Sequence, residues 1–384
     1  MHFRTRAIHV GQHPDPATGS VIPPIHLAST FIQKGIGIPA EYDYARTGTP
    51  TRHNLEETLA SLDDGIRALA FSSGMAAIHC VSQLLTPGDH IVTGTDLYGG
   101  SWRLFHKVLA KQGITVTAVP TSDFDRVCDA FTDCTKLLWL ESPGNPLLSI
   151  TDFDACVKYA HARGALVACD NTLATPVLSR PLSSGADIVM HSATKYLGGH
   201  SDLLGGVLVM RDPQLAQTLA WHQNATGAVM GPLECFLCSR GLKTLQLRVL
   251  EQSRTALEIA RFLRTHPRVE KVYYPGLEEH PGHLLATKQM QGGYGAIVSF
   301  EVNGDPLAAR KIVTLTKIFH LAVSLGAVES LIELPANMSH GAYEASARLA
   351  CGIVDGLVRL SVGLEAFEDL RDDLDQALAH PDAV

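Results

Sequence analysis

The chain has 384 residues, of which 46% are hydrophobic and 18% charged, with a formal net charge of −8 and a pI near 6.1. Such a composition suits a folded chain of roughly two or three domains rather than a disordered one, and the acidic balance argues against nucleic acid or an anionic membrane surface as the main partner. Met1-His-Phe-Arg-Thr-Arg-Ala-Ile lacks the apolar core of a signal peptide, no apolar run reaches the length of a membrane span, and the eight dispersed cysteines read as reduced thiols of a cytoplasmic protein.

Residues 1–52 carry recurrent Pro and Gly (Pro14, Pro16, Gly19, Pro23, Pro24, Gly35, Gly37, Pro39) among apolar residues and the pair Tyr42 and Tyr44. So long a stretch without periodicity is either disordered or an arm that wraps another subunit, and its apolar and aromatic residues favour the arm. From Asn54, read as a helix N-cap with Glu56 and Glu57 in the first turn, a helix is expected through Leu62. Strands are expected at 68–72, 90–95, 115–120, 136–141, 166–170, 187–191 and 207–211, with helices at 75–85, 101–112, 124–131 and 152–163. This alternation implies an α/β chain with a mostly parallel central sheet covered on both faces. A helical stretch from Gly231-Pro232 through 245 to 266 bridges into a smaller C-terminal α/β unit. Its expected strands are 269–274, 296–302, 319–324 and 358–362, its helices 283–290, 306–315, 342–350 and 367–379, and the residues beyond 379 are read as frayed. The expected organisation is an arm at 1–52, a large domain at 53–245 and a small domain at 246–384. Cys235 and Cys238 form a C-x-x-C with no second ligand pair, and His280-Pro-Gly-His283 reads as a surface turn, so no metal site is expected.

Ligands of parallel sheets sit beyond the carboxyl ends of the strands, and the unusual residues fall there. The stretch Asp187-Ile-Val-Met-His-Ser-Ala-Thr-Lys195-Tyr-Leu-Gly-Gly-His-Ser-Asp202 delivers one lysine among small hydroxyl residues and glycines. A desolvated amine has a lowered pKa and becomes a nucleophile for imine chemistry. With Ser192 and Thr194 available to a phosphate and Lys195 to an aldehyde carbon, the pattern suggests pyridoxal 5'-phosphate (PLP). Ser73-Gly74-Met75 opens a helix after a strand, and helix N-termini bind phosphate. Asp170, at a strand end, is suited to a protonated ring nitrogen. Tyr98, ahead of Gly99 and Gly100, is suited to stacking on a ring and to proton transfer. Arg359, in the apolar strand Leu357-Val-Arg-Leu-Ser-Val-Gly363, needs an anion, and a substrate carboxylate supplies one. No G-x-G-x-x-G follows a strand, which disfavours a dinucleotide-binding dehydrogenase.

The chain resembles the Cys/Met-metabolism PLP enzymes, a family of cystathionine γ-lyases, γ-synthases and β-lyases and methionine γ-lyases. The resemblance covers nearly the whole chain. It is carried by Tyr42-Asp-Tyr-Ala-Arg46-Thr-Gly-Thr-Pro50, Ser73-Gly-Met-Ala-Ala77, Asp96-Leu-Tyr-Gly-Gly100, Glu141-Ser-Pro-Gly-Asn-Pro146, Asp170-Asn-Thr172, His191 to Asp202, Ser324-Leu-Gly326 and Arg359-Leu-Ser-Val-Gly363. It implies the type I PLP-dependent transferase fold, aspartate-aminotransferase-like, and a homotetramer that is a dimer of dimers. By the same resemblance Lys195 carries the cofactor, Asp170 holds the ring nitrogen and Tyr98 stacks on the ring. Gly74, Met75, Ser192 and Thr194 hold the phosphate, joined by Tyr44 and Arg46 of the neighbouring subunit. Asn145, Ser324 and Arg359 hold the substrate carboxylate. Thr49 and Ser339 depart from the family's usual Asn and Thr, away from the core chemistry.

Within the family, Gly100 stands where methionine γ-lyases carry Cys, and Glu333 in Glu329-Ser-Leu-Ile-Glu333-Leu-Pro resembles the cystathionine γ-lyase loop. Glu333 at the pocket mouth, with Asp43 of the arm, is expected to bind the distal ammonium of cystathionine. The expected reaction converts cystathionine to cysteine, 2-oxobutanoate and ammonia, with Lys195 moving protons and Tyr98 protonating the leaving sulfur. The alternatives are γ-synthase or β-lyase chemistry on related sulfur amino acids and, in another class, a catalytically silent binding module.

Overall fold

The computed structural model describes residues 1–304, 306–341 and 343–380, with the backbone alone for residue 347. Short apolar runs build the first sheet: β1 (Arg67–Phe71), β2 (His90–Gly94), β3 (Thr115–Val119), β4 (Thr135–Glu141), β5 (Leu166–Asp170), β6 (Ile188–Ser192) and β7 (Gly206–Met210). They lie in the order β1-β7-β6-β5-β4-β2-β3, parallel throughout except that β7 runs antiparallel to both β1 and β6. Successive side chains alternate between faces. Ala68, Ala70, Val189, Val207 and Val209 therefore meet Leu55 and Leu59 of the helix Pro50–Leu62 on one face. Leu69, Phe71, Met190, Leu208 and Met210 meet Ile78 and Val81 of the helix Gly74–Ser82 on the other.

A second sheet comprises β8 (Val269–Tyr273), β9 (Ile297–Val302), β10 (His320–Leu321), β11 (Leu331–Glu333) and β12 (Leu357–Ser361). Its order is β10-β11-β12-β9-β8, antiparallel except for the β10–β11 pair. Val298, Phe300, Val358 and Leu360 pack with Ile259 and Leu263 of the helix Leu245–Thr265 and with Leu370 and Leu374 of the helix Phe367–Leu378. The same alternation turns Arg359 to the opposite face. There the register sets it between Glu333 of β11 and Ser299 of β9. Among the described residues no helix is long and apolar enough to cross a membrane.

Several expected elements differ, each for a local reason. Thr49, not Asn54, caps the first long helix; its hydroxyl accepts from Arg52 N at 3.2 Å and Pro50 takes the first turn, where its missing N–H costs nothing. The stretch expected as one helix at 101–112 is Gly99–Arg103, a π-turn Leu104–Val108 and a 3-10 turn Leu109–Gln112. The long helix divides into Pro232–Leu242 and Leu245–Thr265. The helices Phe3–His9, Thr175–Leu178 and Pro213–Thr226 are additions to the expected elements, although Asp212-Pro213 carries a cap signal, Asp212 accepting from Leu215 N at 2.7 Å. The strand expected at 319–324 shrinks to His320–Leu321, and β11 is an addition. The helix expected at 342–350 is Ala345–Ala350, its expected first residue, 342, and the tail 381–384 lying outside the described residues.

The C-terminal helix is tied to the second sheet through one buried carboxylate. Asp373 accepts from the backbone N–H groups of Lys317, Ile318 and Phe319 at 2.7, 2.8 and 3.0 Å. Asp373→Ala strands these donors, at a cost of about 3 kcal/mol. Urea unfolding is expected to show that loss as a lower midpoint, with little change for the exposed neighbour Asp372→Ala.

Candidate active site

Lys195 follows β6 in a loop that admits little slack. Thr194 Oγ accepts from Gly205 N at 3.0 Å, and the guanidinium of Arg248 donates to Tyr196 O at 2.9 Å and Gly241 O at 2.8 Å. Gly206 opens β7 against the first sheet's strand–helix turn, and a Cβ there would lie 2.2 Å from Ser73 O. The Lys195 amine donates to Ser324 Oγ at 2.7 Å. Burial, with Arg359 nearby as the second cause, lowers its pKa to about 8, although Glu333 and Asp170 pull the other way.

Lys195 opens into a cavity of about 380 Å³ between the two sheets. Gly74, Met75, Tyr98, Asn145, Asp170, Ser192, Thr194, Ser324 and Arg359 line it with the lysine. At one end, the Ser73 hydroxyl caps the helix Gly74–Ser82 by accepting from Ala76 N at 3.1 Å, while the N–H groups of Gly74 and Met75 have no acceptor among the described residues. A Cβ on Gly74 would meet Met190 Cε at 3.0 Å and Ser192 Oγ at 3.3 Å. Two bare N–H groups at a helix start, beside the Ser192 hydroxyl, suit a phosphate. Asp170 ends β5, its Oδ1 accepting from Thr172 N at 3.0 Å and Thr172 Oγ at 2.5 Å. Burial raises its pKa, and the Thr172 hydrogen bonds oppose the rise. Tyr98, 41% exposed, stands over the cavity. A Cβ on Gly100 would lie 2.4 Å from its ring, so glycine is what lets the ring adopt this position.

The other end belongs to Arg359, which is buried and makes a fan of contacts. Its Nη1 lies 2.9 Å from Glu333 Oε1 and donates to Asn145 Oδ1 at 3.1 Å, and its Nη2 donates to Ser324 O at 2.6 Å. Ser324 adopts φ 95°, a left-handed backbone that non-glycine residues rarely occupy outside constrained sites. The turn brings its hydroxyl to Lys195 and its carbonyl to Arg359. Arg359 Nε is buried and has no partner among the described residues.

Glu333 is not at a pocket mouth. It is 1% exposed, sits directly across from Arg359 in the β11–β12 register, and accepts a short hydrogen bond from Ser339 Oγ. An internal cation occupies it, so the expectation of a distal-ammonium ligand is corrected. Asp43, Tyr44 and Arg46 do not line the cavity either. All are exposed, Asp43 accepting from Gln33 Nε2 at 3.0 Å and the Arg46 guanidinium lying 5.7 Å from the Tyr44 ring centroid.

Sequence reasoning missed Glu141 as a site residue. It ends β4 directly beside Asp170, lines the cavity and accepts from Tyr98 N at 3.0 Å. Burial first, and Asp170 second, push its pKa well above the carboxylate range. Its signal was available, since both acids end apolar strands. His340 was also missed. Its Nε2 lies 3.1 Å from Asn145 O, and burial followed by Arg359 lowers its pKa to about 4. Nothing periodic marks it.

A phosphate cradle, a buried carboxylate, an overhanging aromatic and a depressed lysine fit PLP in one cavity. The comparisons agree. The family model for Cys/Met metabolism PLP-dependent enzymes matches residues 4–379. Cystathionine β-lyase of Lactococcus lactis subsp. cremoris is 49% identical over 376 residues, 98% of each chain. Cystathionine γ-synthase of Mycobacterium bovis is 50% identical over 376 residues, covering 97% of this chain and 96% of its own. The crystal structure of cystathionine γ-lyase from Lactobacillus plantarum complexed with L-serine superposes with a TM-score of 0.95 at 46% identity, covering 99% of each chain. Since the family match runs through every segment that builds the cavity, the chain belongs to the Cys/Met metabolism PLP-dependent enzymes.

Proposed function

We propose that this enzyme is a cystathionine γ-lyase, cleaving the Cγ–S bond of cystathionine to cysteine, 2-oxobutanoate and ammonia. The observation that carries the reading is Lys195, an amine whose pKa is lowered to about 8, held 2.7 Å from Ser324 Oγ and away from any direct carboxylate partner among the described residues. γ-Elimination asks one group to take protons from two successive carbons and to return them. An amine poised near neutral pH exists in both forms and suits that double duty. γ-Synthase chemistry makes the same demand and is the second reading, supported by the relatives of that name.

In this reading Asp170 holds the ring nitrogen, Tyr98 covers the ring, and Gly74, Met75, Ser192 and Thr194 hold the phosphate, with Lys195 as the attachment point. When bound, PLP supplies an electron sink conjugated to the substrate's Cα. Arg359, steadied by Glu333, anchors the α-carboxylate with Asn145 and Ser324 beside it. That anchor fixes Cα relative to Lys195 Nζ, which takes the Cα proton and then serves Cβ. The Tyr98 hydroxyl protonates the departing sulfur; burial raises its pKa, so the proton is present at neutral pH. We further read residues 1–52 as an arm that carries Tyr44, Arg46 and Asp43 to a neighbouring subunit of a cytoplasmic homotetramer. The exposed apolar residues Val21, Ile22, Leu27, Ile32 and Ile36 support that reading.

Incubation with cystathionine alone is expected to yield 2-oxobutanoate. Pyruvate would assign a β-lyase. Cystathionine formed from an activated homoserine and cysteine, without keto acid from cystathionine, would assign a synthase. Lys195→Ala is expected to remove turnover in every case.

The lowered lysine pKa has a direct consequence for loading. Only the neutral amine attacks an aldehyde, and an amine titrating near 8 is about one-tenth neutral at pH 7. Cofactor capture by the apoenzyme, followed by absorbance after rapid mixing, is expected to accelerate about tenfold per pH unit below 8 and to level off above it.

Glu333→Gln tests its role beside Arg359. As a steadying partner, it is expected to raise KM by about tenfold for cystathionine and for shorter amino acids alike. A loss confined to cystathionine would restore the distal-ammonium role.

A further inference from the structure

Behind the cavity, on the opposite face of the first sheet, lies a second pair of charges. His191 Nε2 and Asp63 Oδ2 are 2.8 Å apart, with side chains 1% and 0% exposed. Asp63 ends the helix Pro50–Leu62, its N–H bonded to Leu59 O. Neither residue lines the cavity. Withdrawing two such groups from water is expensive, and helix capping or packing does not require it, since an apolar pair of similar volume fills the same space.

The position of the pair gives it a use. On β6, His191 follows Met190, the cross-strand partner of Asp170, and the Met190 carbonyl accepts from Asn171 N at 2.9 Å. On the cavity side, Ser192 N donates to Thr172 Oγ at 2.8 Å, and that hydroxyl donates to Asp170 Oδ1 at 2.5 Å. The end of β6 is therefore joined to Asp170 through Thr172, with the imidazole of His191 behind the join. We propose that Asp63 and His191 are positioning residues that keep Asp170 ionised, Asp63 holding His191 as an imidazolium and His191 supplying the positive charge at Asp170's back.

The need for such a charge comes from Glu141. It stands beside Asp170 at the ends of adjacent parallel strands, and two buried neighbouring carboxylates do not both ionise freely. Unless something favours one of them, the proton is shared, and a ring nitrogen facing a neutral acid loses its counter-charge. The groups facing Asp170 are Glu141 from β4, His191 from β6, Lys195 from the loop after β6, Tyr98 across the cavity and the neighbouring Cys169 thiol. Of these, His191 is the cation that stays in place while Lys195 is engaged in proton transfer. The Asp63 charge raises the imidazole's pKa against the opposing effect of burial.

This inference rests on Asp170 as the ring-nitrogen ligand, and the test separates the two. Holoenzyme variants Asp63→Asn, His191→Gln, the neutral pair D63N/H191Q, and each of these in an Asp170→Asn background are compared by pH profile of kcat and by pH titration of the bound cofactor's visible absorption. The acid limb of the profile and the spectral transition are both expected to move up by about one pH unit in D63N/H191Q, with kcat about tenfold lower below the limb and KM little changed. In the Asp170→Asn background the same changes are expected to have no further effect, because they act through Asp170. An unshifted profile and spectrum in the folded neutral pair would overturn the inference, as would full additivity with Asp170→Asn. Undiminished turnover by Asp170→Asn alone would instead remove the ring-nitrogen assignment on which it stands.

Discussion

Arg359 and Glu333 are withdrawn from water together, and the active site depends on that ion pair. The pair forms because the β11–β12 register sets the two side chains across from each other on the face of the second sheet that looks toward the first. A guanidinium so buried needs compensation, and the compensation reaches across the seam between the sheets: Asn145 comes from the loop after β4, and the Ser324 carbonyl from the segment after β10. Ser324 then offers its hydroxyl to Lys195. One desolvated cation thereby ties the Ser324 turn, and through it the Lys195 amine, to the second sheet.

At the other end of the cavity the same low polarity acts on acids. Asp170 and Glu141 both have raised pKa values, with burial the leading cause in each case. Their roles diverge through their hydrogen bonds. Asp170 receives two donors from Thr172, which favour its charge, whereas among the described residues Glu141 receives the Tyr98 N–H alone. Neighbouring carboxylates pushed apart in this way mark an acid–base site. The Tyr98 N–H hydrogen bond to Glu141 also ties that aromatic residue to the end of β4.

Relatives named β-lyase, γ-synthase and γ-lyase stand within a few per cent of one another in identity to this chain. Holding an α-amino acid by its carboxylate is common to all three reactions, so residues suited to that task carry no information about which bond is cleaved. Glu333 is committed to Arg359, while Arg103, Leu204 and Val323 are exposed parts of the cavity lining.

The alternation of strands and helices, the location of the site at the strands' carboxyl ends, and Gly74, Tyr98, Asp170, Lys195 and Arg359 as its residues of unusual chemistry are legible in the amino-acid sequence. They are legible because apolar runs of strand length and chemically unusual residues at their ends are local features. Helix caps were legible only in part: Thr49-Pro50 and Asp212-Pro213 carry their signal in adjacent residues, but the π-turn at Leu104–Val108 has none. Only the tertiary structure decided where Glu333 goes. A glutamate in a short, irregular stretch reads as a loop charge until a strand 26 residues later places an arginine opposite it. The Asp63–His191 pair joins residues separated by 128 positions, and Glu141 meets Asp170 only across a ladder. Cross-strand pairing sets charge against charge at distances no sequence spacing encodes, and burial then fixes what each charge can do.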